Sequence, residues 1–385
     1  MANNQAFKIK NGLSAKRYLQ NSTAVSASDV DLSTGSYFTK TLSANTTFTF
    51  SNPPASGKAM GFALEVTGAD VTVGYDLANA SYDSVSFSVT SQASGPNGFF
   101  IKSDGTKLYV TGQTSDAVFQ YTLSTAWDLS TASYDSVSFS VSSQETVPNG
   151  VFFKSDGTKM YVVGSSTDSV YQYSLSTAWD LSTASYDSVS FSVASQATIP
   201  RSVDFSSDGL NMYVSNASDD ALYQYILSTA WDLSTASYAS KTVSVQTQEG
   251  TLRGHAFNSN GTKLFIVGTT ADTVFQYDLT TAWDISTATY SSTSFSISSQ
   301  SGTPHDIFFK DDGAKMYILD GAADSLYQYS TAGTSTATTT WPSSVKWSGA
   351  TAPDAPASGE KDVYVFVTTD GGTTYYGKQA GDAVA

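Results

Sequence analysis

The sequence predicts an all-β protein in which a five-bladed β-propeller is inserted into a small β-sandwich-like module. Three observations predict this fold: a 52-residue repeat that occurs five times without insertion or deletion, four short strand patterns in each repeat, and strand-rich, non-repeating segments at both ends. Four antiparallel strands per repeat of this length are typical of propeller blades. A solenoid of stacked β-coils is the main alternative, but it usually has shorter repeats and needs no tight hairpin in each one.

Aromatic and amide residues mark the repeat, because they return every 52 positions. They are Trp127, Trp179, Trp231 and Trp283; Tyr82, Tyr134, Tyr186, Tyr238 and Tyr290; and Gln120, Gln172, Gln224, Gln276 and Gln328. Within the unit at 134–185, YDSVSFSV alternates apolar and small polar residues as a half-buried strand does. The following VFFKSDGTKMYVVG predicts a hairpin, since its Asp-Gly pair supplies the positive φ that a tight turn needs.

The strand count also predicts how the ring closes. The repeat region opens with a single strand pattern, VSFSV (85–89), and its last unit ends on a third strand, SLYQYS (325–330). Pairing the first strand with the last three completes a blade and leaves no open sheet edge. Closure also brings the two ends of the propeller together, as an inserted domain requires. We therefore expect the propeller at 76–335 and a discontinuous β-rich module at 1–75 and 336–385.

Composition excludes several classes of function. The chain has 34 acidic and 19 basic residues, a formal net charge of −15, which disfavours binding to nucleic acid or to a membrane surface. It contains no cysteine, so disulfides, thiolate chemistry and Cys-ligated zinc are unavailable. Residues 1–20 lack the apolar core of a signal peptide, and no apolar run is long enough to cross a bilayer.

Two sets of motifs resemble known families. The hairpin cores resemble propeller repeats with an F-x-x-D-G-x-K-x-Y-V core, which occur in bacterial, archaeal and viral surface proteins and in some sugar-lactone hydrolases; that core specifies a fold and no chemistry. The copies are IKSDGTKLYVT (101–111), FKSDGTKMYVV (153–163), FSSDGLNMYVS (205–215), FNSNGTKLFIV (257–267) and FKDDGAKMYIL (309–319). In the flanks, FTKTLSANTTFTFSNPP, WPSSVKW and VFVTTDGGTTYYG are similar to a module of structural proteins from tailed phages, especially those of marine bacteria.

The second resemblance implies a component of the virion: a fibre, a collar protein or a head decoration. Its partners would be other virion proteins of the capsid, collar or tail, and the propeller would be displayed to a host surface glycan or protein. Capsid or tail decoration without a host ligand is the first alternative, and a secreted bacterial adhesin or a propeller hydrolase is the second. A homo-oligomer is compatible with each of these functions.

The sequence offers little for catalysis, so we expect no enzyme, no cofactor and no metal site. Of the two histidines, His255 takes an apolar position of the repeat and His305 a position just before an inner strand, which favours core and rim roles. The repeated Trp is expected to pack between blades, with sugar stacking as its alternative role. A carboxylate recurs before each third strand, and loop capping is favoured over a cation-binding ring. These carboxylates belong to Asp116, Asp168, Asp220, Asp272 and Asp324.

Variation among the repeats points to a binding surface. The repeats differ most in the loop before the inner strand: ASGPNG (93–98), ETVPNG (145–150), ATIPRS (197–202), EGTLRG (249–254) and SGTPHD (301–306). Loops on a rigid scaffold commonly carry recognition. We therefore hypothesise that one residue from each loop rings the mouth of the central channel and faces a ligand, with neutral drift as the alternative. These residues are Asn97, Asn149, Arg201, Arg253 and His305.

Overall fold

A computed structural model describes residues 21–383, so the expectation about residues 1–20 lies outside the described part of the chain. The chain divides into two compact units, Val73–Gly333 and the combined flanks. The expected boundaries were 76–335, a few residues away. All-β structure is confirmed, since the only helices described are five single 3₁₀ turns. Within the described residues, no helix has the length and apolar character needed to cross a membrane.

Val73–Gly333 forms five antiparallel four-stranded sheets, which confirms the five-bladed propeller. The inner strands, which contact one another around the axis, are Pro96–Ile101, Pro148–Phe153, Pro200–Phe205, Leu252–Phe257 and Pro304–Phe309. The second strands are Lys107–Gly112, Lys159–Gly164, Asn211–Asn216, Lys263–Gly268 and Lys315–Asp320. The third strands are Ala117–Leu123, Ser169–Leu175, Ala221–Leu227, Thr273–Leu279 and Ser325–Ser330. The outer strands are Ala132–Ser140, Ala184–Ser192, Ala236–Ser244, Ala288–Ser296 and, for the fifth blade, Ser81–Ser88. The 3₁₀ turns are Leu77–Asn79, Leu129–Thr131, Leu181–Thr183, Leu233–Thr235 and Ile285–Thr287.

The ring closes as the strand count predicted. Ser81–Ser88, from the start of the propeller, pairs antiparallel with Ser325–Ser330, from its end, and Val85 lies opposite Gln328. The fifth blade is thus assembled from both ends of the unit. Every blade therefore has an outer strand, and no third strand is left as an unpaired sheet edge.

The Asp-Gly hairpins between the inner and second strands are confirmed. In the second blade, Oδ1 of Asp156 accepts a hydrogen bond from the backbone N–H of Thr158 at 3.0 Å, and Gly157 has a φ of 73°. A Cβ on Gly157 would lie 2.4 Å from the Trp179 ring, so glycine is required for close packing as well as for its backbone conformation. The turn therefore also shapes the seat of the repeated Trp.

The repeated Trp packs at the boundary between neighbouring blades, as expected. The ring of Trp179, in the second blade, lies 5.8 Å from Phe153 of its own blade and stacks at 6.3 Å on Phe100 of the first blade. The Tyr109 hydroxyl of the first blade donates a hydrogen bond to the Trp179 carbonyl at 2.6 Å. Tyrosine-to-tryptophan hydrogen bonds of the same kind join Tyr161 to Trp231, Tyr213 to Trp283 and Tyr317 to Trp127.

The repeated Gln adds a second contact between blades. Oε1 of Gln120 accepts a hydrogen bond from the backbone N–H of Leu181 at 2.9 Å, which satisfies a donor at the start of the next blade's 3₁₀ turn. Oε1 of Gln328 accepts the equivalent bond from Leu129 at 3.0 Å, across the closure of the ring. The fifth blade is therefore joined to the first by the same two kinds of bond that join the first to the second, the second to the third and the third to the fourth.

The flanks form a separate unit with two layers of strands. One layer is a six-stranded mixed sheet in the order Thr23–Ala24, Tyr37–Thr41, Met60–Thr67, Lys361–Thr368, Tyr375–Gly381 and Val345–Trp347. The other strands pair as Asp29–Asp31 with Thr49–Ser51 and Thr46–Thr47 with Thr339–Thr340, and Asp70–Val73 pairs with Gly333–Thr336 where the chain leaves and re-enters the flanks. Phe50 joins the layers, with its ring centroid 5.1 Å from those of Phe62 and Phe366. The hairpin expected at Asp370-Gly371-Gly372 is confirmed, since it connects two antiparallel strands of the larger sheet.

The hydrogen bond from tyrosine to the tryptophan carbonyl provides a test of the blade-to-blade contact. Tyr161→Phe removes the donor and leaves the buried Trp231 carbonyl without this partner, so we expect the free energy of unfolding to fall by about 1 kcal/mol. Urea unfolding followed by tryptophan fluorescence measures it. The chain itself carries Phe265 at the equivalent position of the fourth blade, so the substitution is compatible with the fold.

Tyr186→Phe is the matched control, because the described residues provide no hydrogen-bond partner for the Tyr186 hydroxyl, although its ring packs in the same blade. Equal stability of the two variants would contradict a contribution from the bond between blades.

Candidate functional site: the central channel

The five residues hypothesised to face a ligand lie at equivalent positions at the start of the five inner strands. We call them the mouth ring: Asn97, Asn149, Arg201, Arg253 and His305. Each lies where its variable loop joins the inner strand, at the end of the channel opposite the Asp-Gly hairpins. Asn97 and Asn149 are buried, whereas the other three are half-buried.

Three members of the mouth ring hold neighbouring blades together. Nδ2 of Asn149 donates a hydrogen bond to the carbonyl of Pro200, which begins the next inner strand, at 2.7 Å. Asn97 contacts the Pro148 carbonyl at 3.4 Å in the same way, and Nδ1 of His305 lies 3.0 Å from the carbonyl of Pro96. Burial, followed by the positive charge of Arg253, lowers the pKa of His305 to about 4, so its ring is neutral at pH 7. These three side chains have a structural role, which sequence reasoning did not assign to them.

The two arginines differ from the rest of the mouth ring. The described ion pairs all use lysine, and neither Arg201 nor Arg253 has a carboxylate partner among residues 21–383. The Nε atoms of both are buried without a hydrogen bond. Burial and the charge of Arg253 lower the pKa of Arg201 to about 10, and burial lowers that of Arg253. Two neighbouring cations that lack a counter-ion, in a protein of net charge −15, create a local positive potential.

A narrow waist separates the mouth ring from the rest of the channel. Glycines line it where inner strands approach closely: a Cβ on Gly150 would lie 2.8 Å from the Cα of Ser202. In the fifth blade the equivalent residue is Asp306, which is 4% exposed. Its Oδ1 lies 3.5 Å from Oγ of Ser202, which belongs to the non-adjacent third blade, and its Oδ2 accepts a hydrogen bond from the Phe99 N–H at 3.1 Å. The contact with Ser202 therefore spans the channel axis, whereas the bond from Phe99 joins the fifth blade to the adjacent first blade.

Below the waist lies a cavity of about 410 Å³. Its wall includes one residue from each inner strand, which we call the cavity ring: Phe100, Phe152, Asp204, Ala256 and Phe308. The Phe100 ring contacts the other two phenyl rings edge to face, at 5.3 Å from Phe152 and 5.4 Å from Phe308. The cavity therefore arises where the third and fourth blades lack the phenyl ring of the others. Three of the repeated Trp residues also line it, together with the hairpin serines.

Three titratable side chains face this cavity without a charged partner. Burial raises the pKa of Asp204 to about 7, although its Oδ1 accepts a 2.7 Å hydrogen bond from the Phe205 N–H. Burial, and to a lesser extent the charge of Asp204, raises the pKa of Asp306 to about 8. His255 is 3% exposed with neither ring nitrogen hydrogen-bonded, and burial lowers its pKa to about 3. The expected core position of His255 is confirmed, and the residue also forms part of the cavity wall.

The aspartates that recur before the third strands occupy turn positions. Each has a φ between 46° and 52°, as turn residues in the left-handed region do. Capping is confirmed for two of them: Asp220 accepts a hydrogen bond from the Leu252 N–H at 2.9 Å, and Asp324 accepts one from Gly95 at 3.1 Å. Among residues 21–383, no three acidic or histidine side chains lie close enough to hold a metal ion.

Comparison with known proteins concerns the fold alone. No protein-family model matches this chain, and no curated protein matches it. A protein from Lactobacillus plantarum is 13% identical with a TM-score of 0.40, over 58% of this chain and 64% of that one. A Bacteroides uniformis protein described as a candidate 6-phosphogluconolactonase is 10% identical with a TM-score of 0.40, over 60% and 67%. The β-propeller domain of Cps50 (Swd1) from Myceliophteria thermophila is 10% identical with a TM-score of 0.39, over 61% and 83%. Likeness at this level carries no argument about function.

Sequence reasoning missed the cavity, although the sequence contains a signal for it. In the cavity ring, Asp204 and Ala256 stand where the other three repeats have Phe, and in the waist Asp306 stands where three repeats have Gly. These departures lie inside strands, whereas attention to the variable loops led only to the mouth ring. A position-by-position comparison of the inner strands would have identified all three residues.

Proposed function

We propose that this chain is a non-enzymatic surface protein of a bacteriophage particle, in which the propeller recognises an acidic group of a host surface glycan at its channel mouth. Placement on a virion is supported by the resemblance of the flanking motifs to a phage structural module. Recognition is supported by the propeller itself, in which uniform blade-to-blade contacts hold a few non-repeated polar side chains at one end of a channel.

The arginine pair is the observation that carries recognition. Guanidinium groups bind carboxylates and sulfates through paired N–H donors, and burial strengthens such bonds because it removes competing water. Arg201 and Arg253 lie on adjacent inner strands, half-buried, with no carboxylate of the described chain to neutralise them. An acidic ligand would supply the missing counter-charge at both.

The flanking unit is the proposed attachment to the particle. The outer face of its six-stranded sheet exposes Val365, Val367 and Tyr376, which are 37%, 46% and 62% exposed. Val367 and Tyr376 are cross-strand neighbours, so these apolar side chains form one patch. Exposed apolar patches of this kind support contact with another protein.

The arginine pair predicts selective binding of acidic polysaccharide. We expect titration calorimetry to show that the protein binds dextran sulfate and does not bind uncharged dextran. Arg201→Ala and Arg253→Ala should each weaken binding of dextran sulfate at least tenfold, because each removes one charge-assisted contact. Lys263→Ala, which removes a half-exposed cation on a second strand, is the control and should bind as the unmodified protein does. Unchanged binding by both arginine variants would refute this site.

Copy number tests the placement on a particle and distinguishes recognition from decoration. Quantitative mass spectrometry of purified particles from the source culture should find this chain in few copies per particle if it is a fibre or appendage. Tens to hundreds of copies would favour capsid or tail decoration in its place. Complete absence from the particles would overturn the virion proposal.

A further inference from the structure

We propose that the cavity below the waist is a second ligand site, which binds a small organic cation with an ammonium group. The cavity lies at the opposite end of the channel from the arginines, and this proposal does not depend on the function proposed for them. Phe308, Asp204 and Asp306 provide the main contacts.

The first argument is that two carboxyl groups at the cavity lack a positively charged partner. Asp204 and Asp306 have no lysine or arginine partner among residues 21–383, and the negative charge of Asp204 opposes ionisation of Asp306. A carboxyl group held away from water without a counter-ion stays largely protonated near neutral pH, and a bound cation would stabilise its ionised form. One monovalent cation shared by the two carboxyl groups would do so. A further carboxyl group, that of Asp311, lines the cavity on the hairpin side, so its charge also favours entry of a cation.

Aromatic walls are the second argument. Phe100, Phe152 and Phe308 surround the space from one side, and Trp179, Trp231 and Trp283 line it further out. The faces of aromatic rings attract cations, most strongly where water is excluded, and ammonium groups are commonly bound by such cages. The opposite wall carries Asp204 in place of the fourth phenyl ring. The cavity therefore offers negative charge on one side and aromatic faces on the other.

Size and ligand chemistry select an organic cation over a metal ion. The volume of about 410 Å³ lies in the range of about 300–1,000 Å³ that is typical of small-molecule sites. A divalent metal needs several oxygen or nitrogen ligands around one point, and the described residues offer no group of three. His255, which is neutral and has no hydrogen-bond partner, is a further polar residue of the cavity wall.

Choline and its uncharged carbon isostere, dimethylbutanol, test the proposal on the full-length protein, because the two molecules have nearly the same shape. Ethanolamine serves as a second, primary ammonium probe. We expect titration calorimetry at pH 8 to show choline or ethanolamine binding at least tenfold more tightly than dimethylbutanol. Asp204→Asn and Asp306→Asn should each reduce the affinity for the ammonium probe at least tenfold, since they remove the charge and keep the shape.

Matched controls separate this site from the channel mouth. Asp220→Asn alters a buried carboxylate outside the cavity, and Arg201→Ala alters the mouth ring; both should bind the ammonium probes as the unmodified protein does. The fold of each variant is checked by its tryptophan fluorescence. Binding of neither ammonium probe, equal binding of dimethylbutanol, or full affinity in both aspartate variants would overturn the proposal and leave the glycan proposal unaffected.

Discussion

The contact between neighbouring blades is the interaction on which the rest of this structure depends. A glycine in each hairpin leaves room for a Trp ring, that ring stacks on a Phe of the preceding blade, and a buried Tyr donates to the Trp carbonyl. The tyrosine hydrogen bond recurs at four of the five junctions, including the closure, where Tyr317 of the fifth blade bonds to Trp127 of the first. At the junction of the fourth and fifth blades, Phe265 has no hydroxyl group to donate. In the fifth blade Tyr75 replaces the Trp, and its ring packs over Gly313 in the same way. Because each contact is local and repeated, and the chain has no cysteine, these contacts between blades take the place of disulfides in holding the propeller together.

This redundancy explains how the channel tolerates polar and charged residues. The apolar cores lie between the sheets of neighbouring blades, so the innermost positions contribute less to each core than the second and third strands do. Polar substitutions at these innermost positions can therefore form a binding site while the cores between the blades stay intact. Departures from the repeat are concentrated in the third, fourth and fifth blades: two arginines at the mouth, Asp306 at the waist, Asp204 and His255 at the cavity. Acidic and basic groups are thereby kept at opposite ends of the channel, and each set lacks a counter-charge of its own.

Much of the fold could be predicted from sequence because the repeat is nearly exact. The strand pattern found in one repeat therefore applies to all five blades. The expected propeller start, residue 76, lies three residues after the observed start at Val73, and Tyr75 in that interval stands where the other repeats have Trp. The mouth ring was found because its members follow variable loops. The cavity could not be derived from strand alternation alone: a bulge near Pro96, repeated in each blade, shifts the register and decides which inner-strand residues face the axis. The pKa values of Asp204 and Asp306 depend on closure of the propeller ring, because it brings residues of different blades together.

The central claim is that Asp204 and Ala256 stand in place of Phe because the space they leave binds a ligand. The most direct measurement is the melting temperature of the ligand-free double variant Asp204→Phe/Ala256→Phe, which restores the residue of the other three blades. Refilled space and removal of a buried carboxyl group should raise stability, and the melting temperature should rise by about 2–4 °C for each kcal/mol gained. A melting temperature equal to or below that of the unmodified protein would show that residues 204 and 256 are already the best-packed choice, and would contradict the claim.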